Sequence, residues 1–313
     1  MSSKLSGRLA RRDQTTERLA ANRAQLQATA GYYARAWQRF RRNKIAVASL
    51  IVVGVIVLFV LSAGLISRYV TGYTYEENHL ATKLAAPGEH GYILGSDGNG
   101  RDILTRLAYG GRVSLLVAVV ATASTLLVGG LVGSVAGYFG GLTDTLLMRL
   151  VDVLLSIPSL ALLILISSLY RPGYVALAVL IALVSWAGIA RLIRGEVMAL
   201  RRRDYVESAR VLGASHARII TRHILPNVAP TIVVWVSLVI PGFILTEAAL
   251  SFLGLGVRIP TPSWGNMLEE AQQFYRQHWT NVFFPGFMIY ITVLAINLVG
   301  NGLRDALDPR MGD

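Results

Sequence analysis

Three observations predict an all-α integral membrane fold with six transmembrane helices. Hydrophobic residues make up 53% of the 313 residues and charged residues only 15%, where soluble domains carry about a quarter charged, and the mean hydropathy is +0.51. The charges leave six free stretches, at 45–67, 113–143, 153–170, 172–190, 223–246 and 277–303. Each is near or above the roughly 20 residues that a helix needs to cross about 30 Å of hydrocarbon. The net charge of +12 is lopsided: with the N-terminus inside, 22 of the 30 Lys and Arg fall on the cytoplasmic side and 8 outside. That asymmetry orients membrane proteins, and it accounts for the basic balance without nucleic acid as a partner. Zero Cys excludes disulfides, thiolate metal sites and thiol nucleophiles.

The elements follow in order. Residues 1–44 form a basic cytoplasmic segment, read as amphipathic with Tyr32, Tyr33, Trp37 and arginines expected at the lipid headgroups, a simple disordered basic tail being the alternative for residues 1–30. Its apolar successor starts too late and runs too long for a secretory signal, so Ile45–Ile66 is a retained first span. The external segment 68–112 carries the turn-rich string 94–102, including Asp97, Arg101 and Asp102. The second span ends near Tyr138, and Gly129, Gly133 and Gly137 repeat every four residues along one face, where another helix approaches closely. In the third span Arg149 and Asp152 are spaced for a local salt bridge near the cytoplasmic headgroups, and Pro158 bends the rod. The fourth span follows a minimal turn at 171–173.

The cytoplasmic loop 201–227 reads as two short helices. Asp204 and Glu207 have capping-box spacing, Gly213 supplies a left-handed C-cap, Ser215 is the N-cap of a helix over 215–224, and Leu225-Pro226 leads into the fifth span. That span, 228–252, places Glu247 near its outer end. A buried acid in hydrocarbon is costly unless it faces water or protein, so Glu247 is expected on a water-filled path or against a partner subunit. The external segment 253–283 is a compact cap containing Trp264, and a sixth span returns inside at 304–313.

Enzyme chemistry is not supported. None of Lys4, Lys44 and Lys83 follows a glycine, so the phosphate-loop signature is missing. His79, His90, His216, His223 and His278 are scattered and form no His-Glu-x-x-His, so no metal site is expected. The scarcity of acids within spans argues against a proton-driven pump.

At 207–226 a known pattern emerges. Glu207-Ser208-Ala209, then Gly213, then Ile224-Leu225-Pro226 keep every spacing of the cytoplasmic Glu-Ala-Ala motif in permease subunits of bacterial ABC importers. They depart from it at Ser208, where Ala is usual, and at His223, where Ile is usual. Further strings at 94–102, 152–159, 247–256, 262–267 and 302–309 resemble the dipeptide/oligopeptide branch, specifically its DppC/OppC-type subunit. The resemblance covers 94–309 and leaves 1–44 uncovered.

That resemblance implies a type I ABC importer permease fold in a bacterial cytoplasmic membrane, with both termini cytoplasmic: a basic segment 1–44, a six-helix domain 45–303 and a tail 304–313. The implied partners are a homologous DppB/OppB-type permease, two ATPase domains and an extracytoplasmic substrate-binding protein, besides membrane lipid. No cofactor is expected on this non-catalytic chain, because ATP and Mg belong to the ATPase partners. Asp204, Glu207, Ser208, Ala209, Gly213, Leu225 and Pro226 would couple to the ATPases, while Asp97, Arg101, Asp102 and Trp264 would meet external partners. The cargo is a di- or oligopeptide. Same-branch importers of nickel, glutathione or another small solute share these motifs, and a secondary transporter is the alternative from a different class.

Overall fold

Charge-free stretches this long fold as helices because hydrocarbon offers no other partner for backbone N–H and C=O groups. A computed structural model describes residue 31 and residues 34–170 and 172–308. The expectations for residues 1–30, Tyr32, Tyr33, Arg171 and 309–313 lie outside the described residues. After helical residues at 34–42, α1 (Lys44–Leu61) begins where the Asn43 side chain accepts the Ala46 N–H at 3.1 Å. It runs on through a π-helical turn to Gly72, at φ 72°. The long α2 (Ile103–Phe139) starts at Asp102, whose carboxylate accepts the Thr105 N–H at 2.7 Å. At 1.5 Å per residue its 37 residues span about 55 Å, so it projects well beyond the hydrocarbon.

The structure sharpens the expected bend at Pro158 into a break. Helices α3 (Gly141–Ser156) and α4 (Ser159–Tyr170) meet at 79°, because the proline withholds a backbone donor. Next come α5 (Tyr174–Leu200), the short α6 (Asp204–Val211), α7 (His216–Phe252), the external α8 (Trp264–Ala271) and α9 (Thr280–Leu307). Five helices, α1, α2, α5, α7 and α9, are long and apolar enough to cross a membrane, and there are six spans if the bent α3–α4 pair counts as one. The second arm of the hairpin over 201–227 is not the separate short helix expected over 215–224. It passes through a π-helical stretch, Ile219–Ile224, directly into the fifth span as one 37-residue helix, α7.

The glycine face of α2 does meet another helix. A Cβ at Gly129, Gly133 or Gly137 would collide with Ile189, the Ala190 carbonyl or the Arg194 carbonyl of α5. This close approach lets α2 and α5 form the spine of the subunit. Around it Val117, Ala121, Leu177, Ile181 and Ile244 are buried with Leu250 and Trp264 in one core that reaches into the external cap.

Candidate functional site

The hairpin over 201–227 is shaped by where its backbone bonds end. The Glu207 N–H donates to the Arg203 carbonyl at 3.1 Å, and Arg203, extended at ψ 144°, is the N-cap without a side-chain cap bond. The expected capping box at Asp204 is therefore absent. Asp204 is the first helical residue, where its charge favours the helix dipole. At the other end Gly213 has φ +78°, the Ala214 N–H reaches the Ala209 carbonyl and the Gly213 N–H the Arg210 carbonyl, each at 3.0 Å. These bonds form a Schellman cap. Ser215 then accepts the Arg218 N–H at 3.4 Å, as expected of an N-cap.

This geometry sorts the side chains. Val206 of α6 and Ile219, Ile224 and Val228 of α7 are fully buried in a cluster with Ile189, Ile193 and Val197 of α5 and with Tyr138 of α2. The tip faces outward: Val211 is 82% and Leu212 74% exposed. Glu207 and Ser208 are exposed, Ala209 and Leu225 half-buried, and Pro226 exposed. The hairpin is pinned to the ends of α2 and α5. Tyr138 Oη and His216 Nδ1 are 2.8 Å apart, and Arg201 donates to the Gly137 and Tyr138 carbonyls at 3.0 Å. Beside these contacts lies a cleft of about 490 Å³, lined also by Arg202, Glu207 and Arg210. Arg194 clasps Asp144 with two hydrogen bonds, and Asp152 pairs with Arg191 of α5 rather than with Arg149. The expected local bridge within α3 is thus replaced by a link between helices.

At the opposite end of the subunit, the residues expected to meet external partners are turned inward. Arg101 reaches Asp97 at 2.7 Å and Glu270 of α8 at 2.8 Å, and Arg106 reaches Glu270 at 2.7 Å and Asp97 at 3.4 Å. The two arginine side chains are 3% and 1% exposed and the two carboxylates 13% and 16%. Burial pulls the Arg101 pKa down, but Asp97 and Glu270 outweigh it, so the net shift is upward. Asp102 is buried as the α2 cap, and burial raises its carboxyl pKa against the lowering from the Thr105 hydrogen bonds. Trp264 is fully buried, with its indole N–H on the Leu107 carbonyl at 2.9 Å. Arg101, Asp102 and Trp264 therefore build the cap instead of presenting a surface, and Asp97 joins Arg101 in the ion-pair ring.

Glu247 also departs from expectation, for it faces neither an open path nor the subunit surface. It is fully buried, accepting from Ser114 Oγ of α2 and Ser251 Oγ of α7, each at 2.7 Å. With their protons committed to the carboxyl, the two hydroxyl oxygens accept backbone N–H groups of the cap, Ser114 from Trp264 at 3.3 Å and Ser251 from Val257 at 3.2 Å. One side chain thus organises both anchor points of the cap. Sequence reasoning passed over Ser114, Ser251, Arg106, Glu270, Val211 and Leu212. Two local signals were available: Ser251 stands one helical turn from Glu247, and an apolar pair precedes Gly213 in an otherwise charged segment.

Comparison with known proteins agrees with this architecture. Residues 129–313 match the family described as binding-protein-dependent transport system inner membrane component. Residues 31–87 match the N-terminal TM domain of oligopeptide transport permease C. The oligopeptide transport system permease protein OppC of Haemophilus influenzae is 40% identical over 280 residues, 88% of each chain. OppC of Escherichia coli is 42% identical, over 88% of this chain and 91% of that protein. The dipeptide transport system permease protein DppC of Bacillus subtilis is 38% identical, over 88% and 85%. A solved inward-facing structure of the MetNI methionine ABC transporter is 20% identical with a TM-score of 0.48, covering 64% of this chain and 96% of that one. With more than half its length matched by the family and relatives near 40% identity across most of it, the chain belongs to the inner membrane components of binding-protein-dependent transport systems.

Proposed function

We propose that this chain is a permease subunit of an ATP-driven importer of di- and oligopeptides, with its N- and C-termini in the cytoplasm. The observation that carries the reading is the hairpin: an inner face that shares one buried cluster with residues of α2 and α5, and a tip whose Val211 and Leu212 are exposed on the side where the basic residues concentrate. An apolar knob on a rigid turn is the shape that a groove on a partner ATPase accepts, and exposed Glu207 supplies a charge for pairing there. Because α6 packs on the Ile219–Ile224 stretch and that second arm is continuous with the fifth span, displacement of the tip moves a membrane helix without an intervening loop.

The mechanism is a two-state element biased from both sides. Closure of two ATPase domains on ATP draws the hairpins of this chain and a homologous permease together. The pair opens outward to take peptide from an extracytoplasmic binding protein, and hydrolysis resets it. ATP and Mg are held by the ATPase partners, and this chain carries no catalytic step. Peptide as cargo is supported by the relatives' names, OppC and DppC.

The test is purification of the tagged subunit from its native membrane in mild detergent, with identification of co-purifying chains and an assay of ATP hydrolysis. Recovery of a second permease and an ATPase, with hydrolysis rising on addition of peptide-loaded binding protein, is the expected result. A lone subunit, under conditions that preserve other membrane complexes, overturns the proposal.

A further inference from the structure

The helical residues 34–42, just ahead of α1, have two unlike faces. Ala36 and Phe40, one turn apart, are 7% and 3% exposed. Phe40 packs with Ala46 of α1 and Ala306 of α9, against Val299 and Leu303, in the space that a Cβ on Gly302 would invade at 3.3 Å. Arg39 donates to the Asp308 carbonyl at 3.2 Å. The segment is therefore tied to the last turn of α9. Around the other face Arg35, Arg41 and Arg42 are exposed, and so is Trp37, stacked on Phe40 with ring centroids 5.8 Å apart. No acidic residue occurs between 34 and 44, and Arg35, Arg41 and Arg42 form no salt bridge among the described residues. The acids at this end of α9 are Asp305, which is exposed, and Asp308, which is half-buried.

A basic cluster at the cytoplasmic mouth of a span meets the negative surface of the inner leaflet, and an indole beside it prefers the headgroup level. We infer that Arg35, Arg41 and Arg42 with Trp37 form a binding site for the phosphate headgroups of anionic phospholipids, linked through Phe40 and Arg39 to the end of α9. The inference rests on the orientation given under Proposed function. A lipid headgroup fits better than free phosphate, because the exposed indole offers apolar contact that an inorganic anion does not use. The consequence is a subunit whose sixth span is steadied by the charge of the surrounding leaflet.

The test uses the intact complex in nanodiscs of phosphatidylcholine with and without phosphatidylglycerol. Lipid retained after detergent extraction is counted by native mass spectrometry. Trp37 fluorescence, taken as the difference between wild type and Trp37→Phe, is quenched with brominated lipids of each headgroup. The expected result is preferential retention of phosphatidylglycerol and stronger quenching by its brominated form. Removing each charge weakens retention about fivefold, so the triple Arg→Gln variant at 35, 41 and 42 loses the preference while the triple Arg→Lys variant keeps it. Equal retention of both lipids by wild type, or an unaltered preference in the Gln variant, overturns the inference. Reversal by excess inorganic phosphate at constant ionic strength overturns the assignment to lipid. The readout needs neither nucleotide nor peptide, so its failure is distinct from a failure of peptide-stimulated hydrolysis.

Discussion

Replacing Glu247 tests whether one buried carboxyl holds the external cap. Its two oxygens each accept a serine proton at 2.7 Å, and each serine oxygen in turn accepts a cap N–H. In Glu247→Gln one oxygen survives. The amide that replaces the other donates where it formerly accepted, so one buried hydroxyl proton is stranded at a cost of about 1–3 kcal/mol. Glu247→Ala strands both protons and opens a cavity, for about 3–5 kcal/mol. If that energy is spent on releasing the cap, local opening rises about tenfold per 1.4 kcal/mol. The chain has no cysteine, so a single Cys in place of Val257, 6% exposed, reports opening through its labelling rate with a membrane-impermeant maleimide. About tenfold faster labelling is expected in Glu247→Gln and at least a hundredfold in Glu247→Ala. Combining Glu247→Gln with Ser114→Ala should be less than additive, because the stranded proton is removed. Unchanged labelling in both single variants would refute the reasoning.

Other perturbations separate folding from coupling. Gly213 has φ +78° and an added Cβ there would meet nothing within 4 Å, so Gly213→Val should cost only backbone strain, about 1–2 kcal/mol. Transport should fall while membrane insertion persists, and Gly213→Asn should retain more activity, as uptake assays will read. Val211→Asp with Leu212→Asp alters exposed positions, where stability changes stay within about 0.5 kcal/mol. The ATPase is expected to be lost from pull-downs while the melting temperature holds. Gly133→Val has no space against α5 and should abolish stable insertion, read as full-length protein in membranes. Arg101→Gln breaks a buried pair with Asp97 and Glu270, worth about 3 kcal/mol, and should speed proteolysis of the external cap.

What sequence reasoning reached and what it missed divide along sequence separation. The spans, the glycine face of α2 and the left-handed Gly213 are each set by residues within a few positions of one another, where hydrocarbon length, close approach and backbone sterics act locally. Inside the hairpin the misses are local, the capping box expected at Asp204 and the separate helix expected over 215–224; elsewhere they involve charges whose partners lie far along the chain. Asp97 and Arg101 resemble a polar surface loop until Glu270 arrives 164 residues from Arg106. Glu247 resembles a group on a water path until Ser114, 133 residues earlier, supplies its proton donor. Asp152 has Arg149 at helical spacing, yet it takes Arg191, 39 residues on. An ionisable group in a membrane protein must find a partner, but its own neighbourhood does not name that partner. Packing of α2 against α5, α7 and α8 does, and that packing is directed by glycines whose message is only that something comes close. The same reasoning separates the two ends of the subunit. At the cap, Asp97, Arg101, Arg106 and Glu270 are consumed internally and stiffen it. At the other end Glu207, Val211 and Leu212 at the hairpin tip and the arginines at 35, 41 and 42 stay exposed, so these side chains remain available to engage something else.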